Sequence, residues 1–100
     1  MIIYHIVTPE VWETFKDKTE YEADSLTSEG FIHCSYRSQL EDVLERYYKN
    51  ESKVLILHIN LNLLTAKLLA EPSTNGEIYP HIYGAINRRA IVDAEEKFLR

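Results

Sequence analysis

Eight residues, KVLILHIN at 53–60, constrain the fold more than any others. The run is apolar almost without interruption, the pattern of a central strand buried on both faces. Such a strand needs neighbours, and a chain of 100 residues, a single domain over 1–100 with one core, has to supply them. MIIYHIVT at the start reads as a second strand, with Ile3, His5 and Val7 on one face and Ile2, Tyr4 and Ile6 on the other. AKLLAEP, closed by Pro72, and RRAIVDAEEKFL read as two more. Between them, STNGEIYPHIYGAIN carries turn chemistry at Asn75 and Gly76 and reads as an irregular aromatic segment.

The helices are fewer. In SYRSQLEDVLERYYKN, residues Leu40, Val43, Leu44, Tyr47 and Tyr48 recur at helical spacing, which predicts an amphipathic helix over about 38–49. Ser38 is placed to cap it, and with Glu41 it fits a capping box. Thr8 followed by Pro9 is a helix start, which predicts a short N-terminal helix over about 9–16 carrying Val11, Trp12 and Phe15. DKTEYEADSLTSEG is polar and reads as a loop with one turn of helix at most. Strands and helices do not alternate regularly, so the expected class is α+β rather than a doubly wound sheet.

The stretch most suggestive of chemistry is EGFIHCSYRSQ at 29–39. Gly30 releases the chain into a strand expected over Phe31–Ser35, and alternation sorts its side chains. Phe31, His33 and Ser35 share one face; Ile32, Cys34 and Tyr36 share the other. His33 and Cys34 therefore point apart and cannot form a thiol–imidazole pair, which must meet within hydrogen-bond reach. Cys34 is expected to be a buried, inert thiol. If His5 and His33 lie on neighbouring strands they face one cleft, and His81, on a loop after Pro80, can close it. His58, in the most apolar strand, is taken as structural. Tyr21 and Tyr83 are the expected aromatic walls, and Gln39 or Arg37 the polar anchors. The nearest acids are Glu29, Glu71 and Glu77; Glu71, at the end of an apolar strand, is the least ordinary of them.

Several classes are disfavoured. A formal charge of −5 argues against general nucleic-acid binding, while a local cluster such as Arg37, Arg88 and Arg89 could still hold a small anion. One cysteine cannot form an intramolecular disulfide, which points to the cytoplasm. The N-terminus lacks the features of a signal peptide, and no segment approaches the ~18 apolar residues of a membrane span. Phosphate-binding and nucleophile-elbow motifs are missing. A zinc site assembled from strand-borne histidines, serving a metal-dependent hydrolase, stays open as a rival, although no His pair has local ligand spacing.

IYHI at 3–6, Tyr21, Ser25–Leu26, EGFIHCS at 29–35, Gln39, Glu71 and PHIYG at 80–84 together resemble the short bacterial family called domain of unknown function 952. The resemblance covers nearly the whole chain. That family is similar in fold to the ADP-ribosyltransferases, a split α+β structure that grips NAD between two small sheets. The resemblance implies that His5 corresponds to a histidine that holds the NAD ribose, and that residues 30–48 form the second strand and its following helix. The sequence departs from the pattern in two places. Ile32 and His33 stand where many such enzymes stack a tyrosine on nicotinamide, and PHIYG, preceded by Glu77, stands near where they carry a late glutamate. The fold thus carries over, and ADP-ribosyl transfer does not carry over residue by residue.

The expectation is a histidine-lined cleft that binds or transforms NAD or another nucleotide-like or phosphorylated small molecule. His33 is assigned to ligand positioning or base, His81 to the second proton transfer and Ser35 beside them; His5, Tyr21, Arg37, Gln39 and Tyr83 are assigned to binding. The alternative is a ligand-sensing or interaction module that kept the fold without chemistry.

Overall fold

The computed structural model describes residues 1–100 as one α+β domain of three small antiparallel sheets and three short helices. Strand β1 (Ile2–Val7) leads through Thr8 into helix α1 (Pro9–Glu13). There follow β2 (Glu20–Tyr21), α2 (Asp24–Glu29), β3 (Ile32–His33), a 3-10 turn at Arg37–Gln39 and α3 (Leu40–Tyr47). The second half is β4 (Lys53–Asn60), β5 (Lys67–Pro72), β6 (Ile78–Tyr83), β7 (Ile86–Asn87), a 3-10 turn at Arg88–Ala90 and β8 (Ile91–Phe98).

β4 is the centre of the sheet β1–β4–β8, as KVLILHIN demands. Its alternate side chains enter two different cores. Leu55, Leu57 and Ile59 join Ile3 and Val7 of β1 against Ile32, Cys34 and Ile82 of the sheet β3–β6–β5 and Tyr21 and Ile86 of the pair β2–β7. Val54 and Ile56 join Tyr4 and Ile6 under Leu44, Leu40, Val43 and Tyr48 of the α3 region. The order is therefore helix, three-stranded sheet, then a second layer of two small sheets.

Several elements differ from the sequence expectation. α1 stops at Glu13 and turns continue the chain, instead of a helix to residue 16. The polar loop contains both β2 and α2, the latter closed by Gly30 in the left-handed conformation at φ 88°. α3 begins at Leu40, and the chain enters it through the 3-10 turn, where the Gln39 Oε1 accepts the Tyr36 N–H at 2.9 Å; Ser38 is not the cap. Tyr47, at the helix end, is 72% exposed and packs on neither core. PHIYG is not irregular: it lies in β6, the middle strand of its sheet, so His81 is strand-borne.

Replacing Leu57, fully buried in β4, with Ala is expected to lower stability by about 2–5 kcal/mol through lost transfer energy and an unfilled cavity. Val92→Ala, on the half-exposed outer strand, is expected to change it by less than about 0.5 kcal/mol. Urea unfolding of the two variants checks both.

Candidate functional site

The strand expected over Phe31–Ser35 is split between two partners. Ile32 pairs with Ile82 and His33 with His81 in β6. The Cys34 N–H donates to the Pro80 carbonyl at 3.1 Å, but Pro80 has no N–H to return, and the β6 ladder ends there. One residue on, Ser35 exchanges both backbone hydrogen bonds with Tyr4 of β1, at 2.7 and 2.9 Å. Successive residues of an extended chain present their N–H and C=O to opposite sides. Ile32 and Cys34 thus face β6, while His33 and Ser35 face β1.

This geometry decides the role of His5. The His33 carbonyl accepts from the His5 Nδ1 at 2.6 Å, so that nitrogen carries the proton. The other ring nitrogen, Nε2, then has the lone pair and accepts from the Tyr21 hydroxyl at 2.8 Å. Burial pushes the His5 pKa down to about 4 despite the carbonyl bond that opposes the shift, and burial likewise pushes the Tyr21 hydroxyl up. His5 is a neutral imidazole with a fixed tautomer and no free nitrogen. Its ring borders the cleft, but the expectation that it contacts a ligand through its nitrogens is corrected: they tie β1 to β3 and to β2. Tyr21 borders the cleft with His5, but it is 2% exposed, a core ring packed against Phe15 and Trp12.

His33 and His81 meet across the sheet. They occupy a non-hydrogen-bonded pair, where side chains come closest, and their ring centroids are 5.5 Å apart at an interplanar angle of 80°. His33 is at the rim: its Nε2 is 3.0 Å from the Glu29 carboxylate, one turn back, and both side chains are about half exposed. His81 is inside, 5% exposed, with Phe31 stacked on its ring at 4.1 Å. The His81 Nδ1 donates to the Glu71 Oε1 at 2.8 Å, and the Tyr83 hydroxyl donates to the same oxygen at 2.5 Å. The Tyr83 hydrogen bond, with that from His81, holds the Glu71 carboxyl below its usual range. An ionised Glu71 can only accept, which puts a proton on the His81 Nδ1, so that Nε2 is the nitrogen from which the ring can gain or lose its other proton. That Nε2 makes no hydrogen bond within the protein and is not sealed from solvent.

The pair lies in a cleft of about 800 Å³ lined also by Ser35, Phe31, Tyr79 and the end of α3. Ser35 is 5% exposed, its backbone held by Tyr4 and its hydroxyl free of any partner in the protein. Three sequence assignments lie elsewhere. Arg37 donates to the Tyr4 hydroxyl at 3.2 Å and does not line the cleft. Gln39 is a buried staple, its amide donating to the Ile78 carbonyl at 2.7 Å and to Glu77 at 3.0 Å. Tyr83 is outside the lining and meets it through its hydrogen bond to Glu71 and its contact with the Phe31 ring. Arg88 clasps the carbonyls of Phe15, Lys16 and Lys18, and Arg89 is exposed outside the cleft, so Arg37, Arg88 and Arg89 form no anion cluster there. Cys34 is buried, and burial pushes its thiol pKa up, as expected of an inert cysteine. His58 meets Glu95 at 2.8 Å on the outer side of the β4–β8 ladder. No group of three or more His, Cys, Asp or Glu side chains comes together as a metal-holding set, and no helix is long and apolar enough to cross a membrane.

Sequence reasoning did not assign Arg46, Tyr47, Tyr79 or the hairpin residues Ser73–Asn75 to the cleft. The helical spacing of Tyr47 pointed to the core, and the meeting of the 72–78 hairpin and α3 at one cleft has no local signal.

A family model described as "Protein of unknown function (DUF952)" matches residues 6–94. No curated protein matches the chain. Among solved structures, the crystal structure of protein CC0527 from Caulobacter crescentus superposes with a TM-score of 0.83 at 22% identity, over 98% of this chain and 85% of that one. The crystal structure of its double mutant gives 0.83 at 21% over the same shares, and its solution NMR structure gives 0.79 at 22%, over 97% and 83%. At that identity the likeness is one of fold.

The state of His5 sets a pH dependence. The unfolded chain takes up a proton near pH 6.5 and the folded chain only near 4, so folding is weakened as pH falls between the two. Stability is expected to drop by about 2 kcal/mol from pH 7.5 to pH 5 from this residue alone. His5→Gln is expected to be less stable at pH 7.5 and to show a shallower slope across that window, measured by urea midpoints.

Proposed function

The chain belongs to the family of proteins of unknown function designated DUF952, and on that fold we propose that the cleft is a small-molecule site of nucleotide size, with the Glu71–His81 pair as its acid–base centre. The observation that carries this reading is the unpaired His81 Nε2, on a ring oriented by a carboxylate behind it and by Phe31 on its face. A carboxylate-oriented imidazole with an open nitrogen is the arrangement that accepts a proton from a bound hydroxyl or water and returns it. His33, opposite, positions the ligand or takes the second proton, and Ser35 offers a hydroxyl beside them. A volume of about 800 Å³ lies within the usual range for ligand sites.

The ligand class we propose is nucleotide-like or phosphorylated, with NAD the first to test, in keeping with the resemblance to ADP-ribosyltransferases. One observation favours the non-catalytic alternative. In those enzymes the histidine of the first strand holds the ribose, and here both His5 nitrogens are occupied within the protein. Glu77 is likewise engaged, with Gln39 and Tyr79, which leaves Glu71 on His81 and Glu29 on His33 as the acids at the histidine pair. A transferase built on this site would rely on His81 and Glu71, whereas a sensing module needs only the same binding.

Titration with NAD, followed by calorimetry and by amide NMR shifts, is expected to perturb residues 31–35 and 79–81. Affinity should fall about tenfold in His81→Ala, as expected when a hydrogen bond to a charged partner is removed. Turnover that vanishes in His81→Ala and shrinks in Glu71→Gln assigns the enzyme; binding without turnover assigns the sensor. Folded protein showing no shift at millimolar NAD or AMP would sink the nucleotide reading.

A further inference from the structure

Beyond the histidine pair, the cleft contains one feature the proposed chemistry does not use. Arg46 is the only lysine or arginine among the residues that line it. The chain has 16 Asp and Glu against 11 Lys and Arg, and the cleft itself includes Asp24 and Glu29, yet none of the chain's ion pairs involves Arg46. Its place in the last turn of α3 suits the helix dipole, which accounts for a cation there but leaves the guanidinium fork unfilled.

The neighbours of Arg46 are aromatic. Tyr47 follows it, 72% exposed on the cleft rim and packed on neither core. Tyr79 comes from β6, two residues before His81 and alternating onto the same face of the strand. Arg46 and Tyr79 line the same cleft, and the Tyr79 hydroxyl, raised by burial and by the Glu77 carboxylate, is pulled the other way by the Arg46 charge. An exposed guanidinium that lines one cleft with two tyrosines and a pair of imidazoles suits a ligand with an anionic group and a flat ring.

We infer that Arg46 is the anion anchor of the cleft: a ligand phosphate docks on its guanidinium between Tyr47 and Tyr79, and the rest of the ligand reaches the His33–His81 floor. This rests on the small-molecule reading above and adds its polarity and a specificity-determining residue. Arginine is the side chain suited to the task, because its fork binds two phosphate oxygens at once and lysine offers a single point charge.

The test compares adenosine, AMP and inorganic pyrophosphate on wild type, Arg46→Gln and Arg46→Lys, each checked for an unchanged amide spectrum elsewhere. Arg46 is exposed, so the variants should fold. AMP is expected to bind wild type about tenfold or more tighter than adenosine, as a charge-assisted contact implies. That preference should disappear in Arg46→Gln, return in part in Arg46→Lys, and shrink with added salt. Equal binding of AMP and adenosine, or a preference that survives Arg46→Gln, overturns the anchor while leaving the cleft as a binding site. Pyrophosphate binding that needs Arg46, with neither AMP nor adenosine bound, supports the anchor and overturns the nucleotide reading. No binding by any of the three overturns both.

Discussion

The structure depends on four residues, Ile32 to Ser35, that belong to two sheets at once. An extended chain directs successive backbone groups to opposite sides, so Ile32 and Cys34 serve β6 while His33 and Ser35 serve β1. Ser35 is met by the backbone of Tyr4. The His33 carbonyl is met by a side chain, the His5 imidazole, which stands where a backbone donor would otherwise be. That ring in turn needs the Tyr21 hydroxyl, which brings β2 to the same point. A leucine at position 5 would fill the space and leave the His33 carbonyl and the Tyr21 hydroxyl without partners, each a desolvation penalty of about 1–3 kcal/mol. The seam between the two layers is therefore polar at one point, and it holds only while His5 is neutral.

The same seam makes the cleft. With the β6 ladder stopped at Pro80, the chain leaves β6 and crosses to β1, and the two sheets diverge around the crossing. Pro80 sits in a middle strand, where proline is normally excluded. It is tolerated because its missing N–H points toward β3, on the same side as the carbonyl that Cys34 meets, while the register with β5 runs unbroken from Lys67 to Pro72. The proline that shortens β3 thus also determines that His33 and His81 are the last residues paired before the sheet opens.

Much of this was legible in the sequence where the signal is local. KVLILHIN identified its own strand and its burial, the spacing of Leu40, Val43 and Leu44 identified the helix, and alternation separated Cys34 from His33 and placed His5 on the face of Ile3 and Val7. What was not legible depends on partners far along the chain. Gln39 and Arg37 look like free polar groups until Ile78 and Tyr4 arrive to bind them, 39 and 33 residues away. PHIYG looked like a loop because proline and glycine bound it, yet pairing with β5 on one side and β3 on the other overrides that local punctuation. The resemblance identified the family, whose model matches residues 6–94, but a matched residue type such as His5 does not report what its second nitrogen touches.

Three histidines expected in one cleft have three different fates, and the second partner of each ring separates them. His5 has a carbonyl and a hydroxyl, and so is closed and structural. His33 has a half-exposed carboxylate on its Nε2, where an ion pair contributes little. His81 has a carboxylate on one nitrogen and nothing on the other, within a nearly buried setting. That second nitrogen is not sealed from solvent, so the ring keeps an acceptor that water can reach and avoids the cost of a buried unpaired group. Phe31 on its face and the Glu71 carboxylate, itself held by Tyr83, fix the ring in place. His5 thus uses both ring nitrogens for the fold, whereas His81 uses one and keeps the other within reach of solvent. That difference in the second partner is what separates a structural imidazole from one free to meet a ligand.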